Sequence, residues 1–225
     1  MTATTTMERT YPGASRTLAA TPVVFVVLDD IGVRESLELL VLASGWRPAT
    51  FGSAREFLAH PPARVPSCLI LDVTLPDLSG LDLQKRLAVD RPEMPIIFVT
   101  ADGDVSTSVR AMKAGAVEFL MKPFREEALL DAIRCALERS GHELERNARI
   151  EAVRENYASL TPREREVMVL VVSGLLNKQV GGELGISEIT VKAHRGQVMR
   201  KMQAASLPAL VKMVSSLGLE PAWMS

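Results

Sequence analysis

Short apolar runs alternate, along the first two thirds of the chain, with segments whose apolar residues recur every three or four positions. The runs cover residues 22–28, 46–51, 68–71, 95–100 and 116–121. Apolar runs of this length, bounded by turn residues, are typical of strands buried on both faces of a parallel sheet. The intervening segments predict helices over residues 32–44, 54–58, 81–87, 105–114 and 126–138. Five strands alternating with five helices predict a doubly wound parallel sheet, a flavodoxin-like α/β fold, over residues 21–138.

The last third of the chain predicts a small all-α domain over residues 159–219. Thr161 and Glu164 have the spacing of a capping box, which indicates a helix that begins there. Further helices are expected over 178–184, over 188–202 and from 207, opened by the polar caps Asn177, Ser187 and Ser206. Two helices joined by a short turn that contains Gly185 indicate a helix-turn-helix motif, whose second helix enters the major groove of DNA.

The helix over residues 188–202 has an apolar side and a polar side. We expect its apolar residues to face the domain core: Ile189, Val191, Val198 and Met202. The polar side supplies hydrogen-bond donors from Thr190, Lys192, His194, Arg195 and Gln197. For any one of these residues, a solvated surface position is the alternative interpretation.

Between the two domains, residues 139–158 are rich in Glu and Arg with a sparse apolar stripe, which predicts a helical linker interrupted near Ser140 and Gly141. Two interpretations stay open. The linker is either an exposed helix with charge pairs four residues apart, or a short coiled coil that pairs two copies of the chain. Residues 1–20 and 220–225 are expected to be flexible tails.

Composition agrees with two folded domains in a chain of 225 residues, of which 47% are hydrophobic. No apolar stretch reaches the roughly 18 residues of a membrane-spanning helix. Cys68 and Cys135 lack the spacing of a metal site, so we expect buried thiols in a cytoplasmic protein. The net charge is −1 overall but +3 from Ser159 onward, which favours a polyanionic partner for the second domain.

Polar residues follow the predicted strands where the strands end. Asp29 and Asp30 follow the first strand, Asp72 follows the third, Thr100 ends the fourth, and Lys122 follows the fifth. The carboxyl ends of parallel strands lie along one edge, where open α/β sheets bind ligands. Clustered carboxylates suit Mg²⁺, one carboxylate can act as a nucleophile, and a hydroxyl and an ammonium can bind phosphoryl oxygens. The pattern therefore predicts a phosphoryl-transfer site.

These residues also carry a family resemblance. Asp29 with Asp30, the segment from Asp72 to Gly80, Thr100-Ala101 and Lys122-Pro123-Phe124 resemble the motifs of a two-component receiver domain. The resemblance implies that Asp72 is the phosphoacceptor, and that Asp29, Asp72 and the main-chain carbonyl of Thr74 bind Mg²⁺, with Asp30 as a possible further ligand. It also implies that Thr100 is the switch hydroxyl, Lys122 pairs with the phosphate, Phe119 is the aromatic switch residue, and the Lys122–Pro123 bond is cis.

The sequence departs from the receiver pattern at one position. Counted back from Arg34, the paired acids of the family fall at positions 28 and 29, and position 28 is Leu28. We expect the site to function but to bind Mg²⁺ less tightly, unless Asp30 compensates for the missing carboxylate.

Residues 160–218 resemble the LuxR-type DNA-binding domain through the segments 160–166, 177–180, 184–187 and 190–195. Together the two resemblances place the chain in the NarL/FixJ class of response regulators. They imply that Lys192, His194 and Arg195 contact DNA, with Lys178 and Thr190 near phosphates. Gly181 and Gly182 depart from the family pattern and are expected to soften their helix, at about 1 kcal/mol each.

The function expected from this resemblance is a phosphorylation-gated transcription regulator and not an enzyme. Its implied partners are a sensor histidine kinase, double-stranded DNA and RNA polymerase, and it is expected to dimerise when phosphorylated. A degenerate receiver that regulates without phosphorylation is an alternative, because of Leu28. A phosphotransferase or phosphatase that uses Asp72 as nucleophile is a second alternative. However, Thr74 stands where aspartyl phosphatases have another acid, and the second domain would be unexplained.

Overall fold

A computed structural model of the chain describes residues 21–101 and 103–218. The predicted tails at 1–20 and 220–225 lie outside these residues. The chain divides into two compact units, residues 1–141 and residues 142–225. Within the described part of the chain, no helix is both long and apolar enough to span a membrane.

The first unit contains a five-stranded parallel sheet. Its strands are β1 (Val23–Val27), β2 (Arg47–Phe51), β3 (Ser67–Leu71), β4 (Ile96–Thr100) and β5 (Glu118–Met121). Their order in the sheet is β2-β1-β3-β4-β5. The helices between them are α1 (Ile31–Ala43), α2 (Ala54–Ala59), α3 (Gly80–Asp90) and α4 (Val105–Lys113), and α5 (Glu126–Ala158) follows. The doubly wound α/β fold is confirmed.

The sheet separates two apolar cores because β1, β3 and β4 are buried along their whole length. Residues such as Phe25, Leu69 and Phe98 face one core, together with the inner sides of α2 and α3. Their neighbours along each strand face the other core, together with α1 and the first half of α5. Strands covered on both faces leave only their ends for polar chemistry.

The second unit is helical, as predicted, with α6 (Pro162–Val172), α7 (Asn177–Leu184), α8 (Glu188–Lys201) and α9 (Leu207–Ser216). The capping box at Thr161 and Glu164 is present, and Gly185 ends α7 in the left-handed region, at φ 64°. Helices α7 and α8 with their short turn form the predicted helix-turn-helix. Val153 and Tyr157 of α5 pack against the core of this unit, so the core includes residues that we had predicted to belong to the linker.

The predicted interruption near Ser140 and Gly141 is wrong, since α5 is continuous from Glu126 to Ala158. Ser140 is buried, and its hydroxyl accepts the N–H of Ser67 at 3.1 Å. A Cβ at Gly141 would meet Pro66 at 3.7 Å. Both residues are small because this turn of the helix packs against the chain that enters β3. The charge pairs in the linker are three residues apart, Glu143 with Arg146 and Glu151 with Arg154.

Three further expectations are corrected. Ile189 does not face the core, because 80% of its surface is exposed. Asn177 is the first residue of α7, whose N-cap position is occupied by Leu176. Of the two cysteines only Cys68 is buried, and this burial raises the pKa of its thiol, whereas Cys135 is exposed.

Candidate functional site

Asp72 lies directly beyond the end of β3, with its main-chain N–H donating to the carbonyl of Val27 in β1. Its side chain is 8% exposed and makes two polar contacts. Lys122 Nζ donates to Oδ2 at 2.7 Å, and the N–H of Thr74 donates to Oδ1 at 3.2 Å. The fold therefore brings together a carboxylate and an ammonium that are 50 residues apart in sequence.

The start of α3 is packed so closely against the main chain of Asp72 that its first residue must be glycine. A Cβ at Gly80 would lie 2.2 Å from the carbonyl oxygen of Asp72 and 3.1 Å from Cα of Val73. The N–H of Gly80 also donates to the carbonyl of Val73 at 2.8 Å. Gly80 thereby allows α3 to begin directly against the main chain of Asp72.

Asp77 connects the loop after Asp72 to the start of α2 through hydrogen bonds. Its carboxylate accepts the N–H groups of Ala54 at 3.1 Å and Arg55 at 2.8 Å, in the first turn of α2. Desolvation raises the pKa of Asp77, but the main-chain hydrogen bonds to its carboxylate and the charge of Arg55 together hold the pKa below the ordinary value of 3.8. Ser79, and not Asp77, caps α3.

The two predicted switch residues lie close together beside this site. Thr100 is buried at the end of β4, and Phe119 is half-buried in β5 with its ring 6.0 Å from that of Phe98. A Cβ at Gly103 would lie 2.9 Å from the Phe119 ring and 3.2 Å from the Thr100 methyl group, so both side chains border the loop after β4. The Lys122–Pro123 bond is cis, as the resemblance implies.

The two acidic residues that follow β1, Asp29 and Asp30, have different environments. Asp29 is exposed, whereas the carboxylate of Asp30 accepts the N–H of Val33 at 3.0 Å and caps α1. Leu28 is fully buried in the core between the sheet and α5. Arg34 fixes this turn by donating to the main-chain carbonyls of Leu28 and Asp29.

Among the described residues, no group of three acidic, histidine or cysteine side chains is placed to hold a metal. Mg²⁺ usually binds through one or two carboxylates and keeps several waters. Asp29, Asp72 and the carbonyl of Thr74 fit that requirement, since β1 and β3 are paired up to Val27 and Leu71.

In the second unit, burial determines which residues of α8 face outward. Val191 and Val198 are fully buried, while Lys192 is exposed and pairs with Glu188 at 3.3 Å. Thr190 and His194 are half-buried. Arg195 is also half-buried and donates to the side chain of Asn177 in α7 at 3.2 Å. Lys178, on α7, is exposed.

Comparison with known proteins identifies both units. Residues 24–134 match the family of response regulator receiver domains, and residues 158–214 match the bacterial regulatory proteins of the luxR family. The chain is 51% identical over 197 residues to nodulation protein W of Bradyrhizobium diazoefficiens, covering 88% of this chain and 87% of that protein. It is 43% identical to the transcriptional regulatory protein FixJ of Azorhizobium caulinodans, over 88% of this chain and 94% of that one.

The chain belongs to the NarL/FixJ class of response regulators. A solved structure of the response regulator StyR matches with a TM-score of 0.77 and 45% identity, covering 87% of this chain and 99% of that one. Full-length FixJ from B. japonicum matches with a TM-score of 0.52 and 37% identity, covering 88% of this chain and 98% of that one. The regulator is therefore a DNA-binding component of a two-component system and not an enzyme.

Sequence reasoning missed two contacts that position the functional parts of the regulator. Asp77 binds residues 22 and 23 positions away, and no local pattern indicates that partner. In the second unit, Glu164 is buried and accepts Lys201 Nζ at 2.6 Å, which joins α6 to the end of α8. The capping box was a signal for Glu164, but nothing in the sequence singles out Lys201.

Proposed function

We propose that the regulator accepts a phosphoryl group on Asp72 and that this modification controls how its luxR-type domain acts at DNA. The observation that carries the proposal is the Asp72–Lys122 pair at the carboxyl ends of the strands, in a chain that also has a helix-turn-helix. The phosphodonor would be a sensor histidine kinase in the cytoplasm, and the response would act on transcription by RNA polymerase.

The chemistry requires one bond exchange. A carboxylate oxygen of Asp72 attacks phosphorus, the bond between phosphorus and the donor's nitrogen or oxygen breaks, and the leaving group keeps the bonding electrons. Mg²⁺, held by Asp29, Asp72 and the Thr74 carbonyl, would neutralise charge on the phosphoryl oxygens. Lys122 is placed to pair with one of those oxygens, because it already contacts Oδ2.

The added charge would then draw in Thr100, and Phe119 would repack beside Gly103. The nearby surface of α4 presents Val105, Val109 and Met112, spaced four and three residues apart and between 43% and 80% exposed. An exposed apolar stripe of this kind favours a homodimer formed by the face of α4, β5 and α5, which would place two α8 helices on paired half-sites. Release of DNA-binding helices that are hidden before phosphorylation is the other route of control.

For the DNA contacts, exposed Lys192 and Lys178 are supported as phosphate or base contacts. We also propose that His194 and Arg195 contact DNA. Arg195 would have to exchange its hydrogen bond with Asn177 for one with DNA. The half-buried Thr190 is proposed near a phosphate at the start of α8.

A degenerate receiver is the second candidate, favoured by the burial of Leu28 where the family has an acid. Acetyl phosphate with Mg²⁺ separates the two proposals. We expect the wild-type chain to gain the mass of one phosphoryl group and the Asp72→Asn variant to gain none. The phosphorylated chain should differ from the unmodified chain in DNA affinity. If no donor modifies Asp72 while DNA binding persists, the degenerate receiver is correct.

A further inference from the structure

The outward face of α8 is apolar at its centre. At about 100° per residue, the positions opposite the buried Val191 and Val198 are occupied by the following four residues: Ile189, Ala193, Gly196 and Arg200. All four are exposed, and Ile189 exposes 80% of its surface. A Cβ at Gly196 would have nothing within 4 Å, so the fold of this unit does not require glycine there.

Apart from Arg200 at its far end, the polar groups of α8 lie to the sides of this face. Lys192 flanks it and is exposed, whereas Arg195 points toward α7, where it contacts Asn177. Arg200, at the far end of the face, donates to Gln197 at 2.5 Å. Ile189 and Ala193 can offer a base edge only apolar contact. Single exposed apolar residues are common, but here the apolar position is the most outward one in the first turn of the reading helix.

The charges of the second unit favour DNA as the ligand of the outward face of α8. The segment from Ser159 onward carries a charge of +3, and exposed cations lie on both helices of the motif, Lys178 on α7 and Lys192 on α8. In the major groove, the one base-edge group suited to an aliphatic side chain is the 5-methyl group of thymine. Glycine in turn permits the main chain to approach a ligand closely.

We infer that Ile189, together with Ala193, reads thymine methyl groups in the major groove, and that Gly196 lets the middle of α8 approach the base edges. The inference rests on the proposed role of α8 as the reading helix. It assigns to the operator half-site at least one thymine that is recognised by its methyl group and not by hydrogen bonds.

The test uses the full chain, with Mg²⁺ and acetyl phosphate, and a duplex selected by the wild-type protein from a random library. Each thymine of that duplex is replaced in turn by deoxyuridine, which removes only the methyl group. We expect one or two replacements per half-site to weaken binding about fourfold, the equivalent of about 0.8 kcal/mol for one buried CH₂ group. The Ile189→Ala variant should bind the unmodified duplex more weakly and lose most of its sensitivity to those replacements.

Val169→Ala is the matched control, because Val169 is an aliphatic residue of α6 that is 46% exposed and lies outside α7 and α8. This variant should keep the full sensitivity to deoxyuridine. Gly196→Ala should raise the melting temperature, because alanine favours an exposed helix, yet lower DNA affinity. The inference is overturned if the duplex binds tightly but no replacement matters, or if Ile189→Ala keeps the same sensitivity. Failure to select any duplex would overturn the proposed DNA-binding function as well.

Discussion

Replacement of Lys122 by Met should show how much the ion pair between Lys122 and Asp72 contributes to stability. Asp72 and Lys122 side chains are 8% and 20% exposed, and their charged atoms are 2.7 Å apart. Exposed pairs contribute at most about 1 kcal/mol, and breaking a buried pair costs about 3–5 kcal/mol. The pair lies at the sheet edge, between these limits, so we expect Lys122→Met to lower the free energy of unfolding by about 2–3 kcal/mol. In the variant, Asp72 keeps its hydrogen bond from the N–H of Thr74, which lies 3.2 Å from Oδ1.

The coupling energy between Asp72 and Lys122 is best measured by a double-mutant cycle that combines Lys122→Met with Asp72→Asn. Urea unfolding is followed in EDTA, in a Trp223→Phe background, so that Trp46 in the first unit is the sole tryptophan. Asp72→Asn removes the charge that Lys122 neutralises, while Lys122 can still reach solvent. The double variant should therefore be more stable than Lys122→Met alone, with a coupling energy of about 2 kcal/mol.

A coupling energy below about 0.5 kcal/mol would refute this reasoning, because pairs in real contact usually couple by at least that much. In that case the lysine would be a solvated side chain that contacts Asp72 without stabilising it. The loss of phosphorylation in Asp72→Asn would be unaffected, so the cycle tests the electrostatics of the site separately from its function.

Three further predictions follow from individual contacts. Leu28→Asp and Leu28→Asn should each lower the free energy of unfolding by about 2–5 kcal/mol, because Leu28 is fully buried. Only Leu28→Asp should bind Mg²⁺ more tightly than the wild type in a fluorescence titration, and equal affinities would show that an acid at position 28 does not strengthen Mg²⁺ binding. Gly181→Ala should destabilise the second unit, since its Cβ would lie 2.7 Å from a main-chain oxygen, whereas Gly182→Ala, with open space, should stabilise it by about 1 kcal/mol in thermal unfolding. The hydrogen bond from Lys201 lowers the pKa of Glu164 below 4.5, so the stability that the ionised carboxylate contributes is present above pH 4.5 and is lost as pH falls through the folded pKa. The free energy of unfolding of Glu164→Gln should therefore be lower than that of the wild type at pH 7, and the two should converge in acid.

The strands and most helix ends could be predicted because their signals are local. An apolar run of five residues indicates a buried strand wherever the chain places it, and Thr161 caps α6 through a residue three positions away. The strand-end residues could also be assembled from sequence, since parallel strands put their carboxyl ends on one edge. The contact between Asp72 and Lys122 agrees with that argument.

The incorrect predictions concern residues whose environment is set by distant parts of the chain. Ser140 and Gly141 usually interrupt a helix, but here they are small because β3 begins against them. The softening of α7 by Gly181 stays a prediction, and the close approach of the Ile186 main-chain oxygen gives this glycine a packing role that no local pattern indicates. Ile189 was assigned to the core from its residue type, although its position on α8 turns it outward.

The loop that carries Asp72 is fixed more firmly on one side than on the other, and this asymmetry bears on how a switch could operate. On the α2 side, Asp77 accepts two N–H groups from the start of that helix, and Gly80 packs directly against the Asp72 carbonyl. On the β5 side, the half-buried ring of Phe119 borders the loop after β4 at Gly103. A charge added to Asp72 meets rigid main-chain contacts in the first direction and a side chain that can change rotamer in the second. We therefore expect the response to the proposed phosphorylation to travel toward β4 and β5, while the hydrogen bonds of Asp77 keep Asp72 in place.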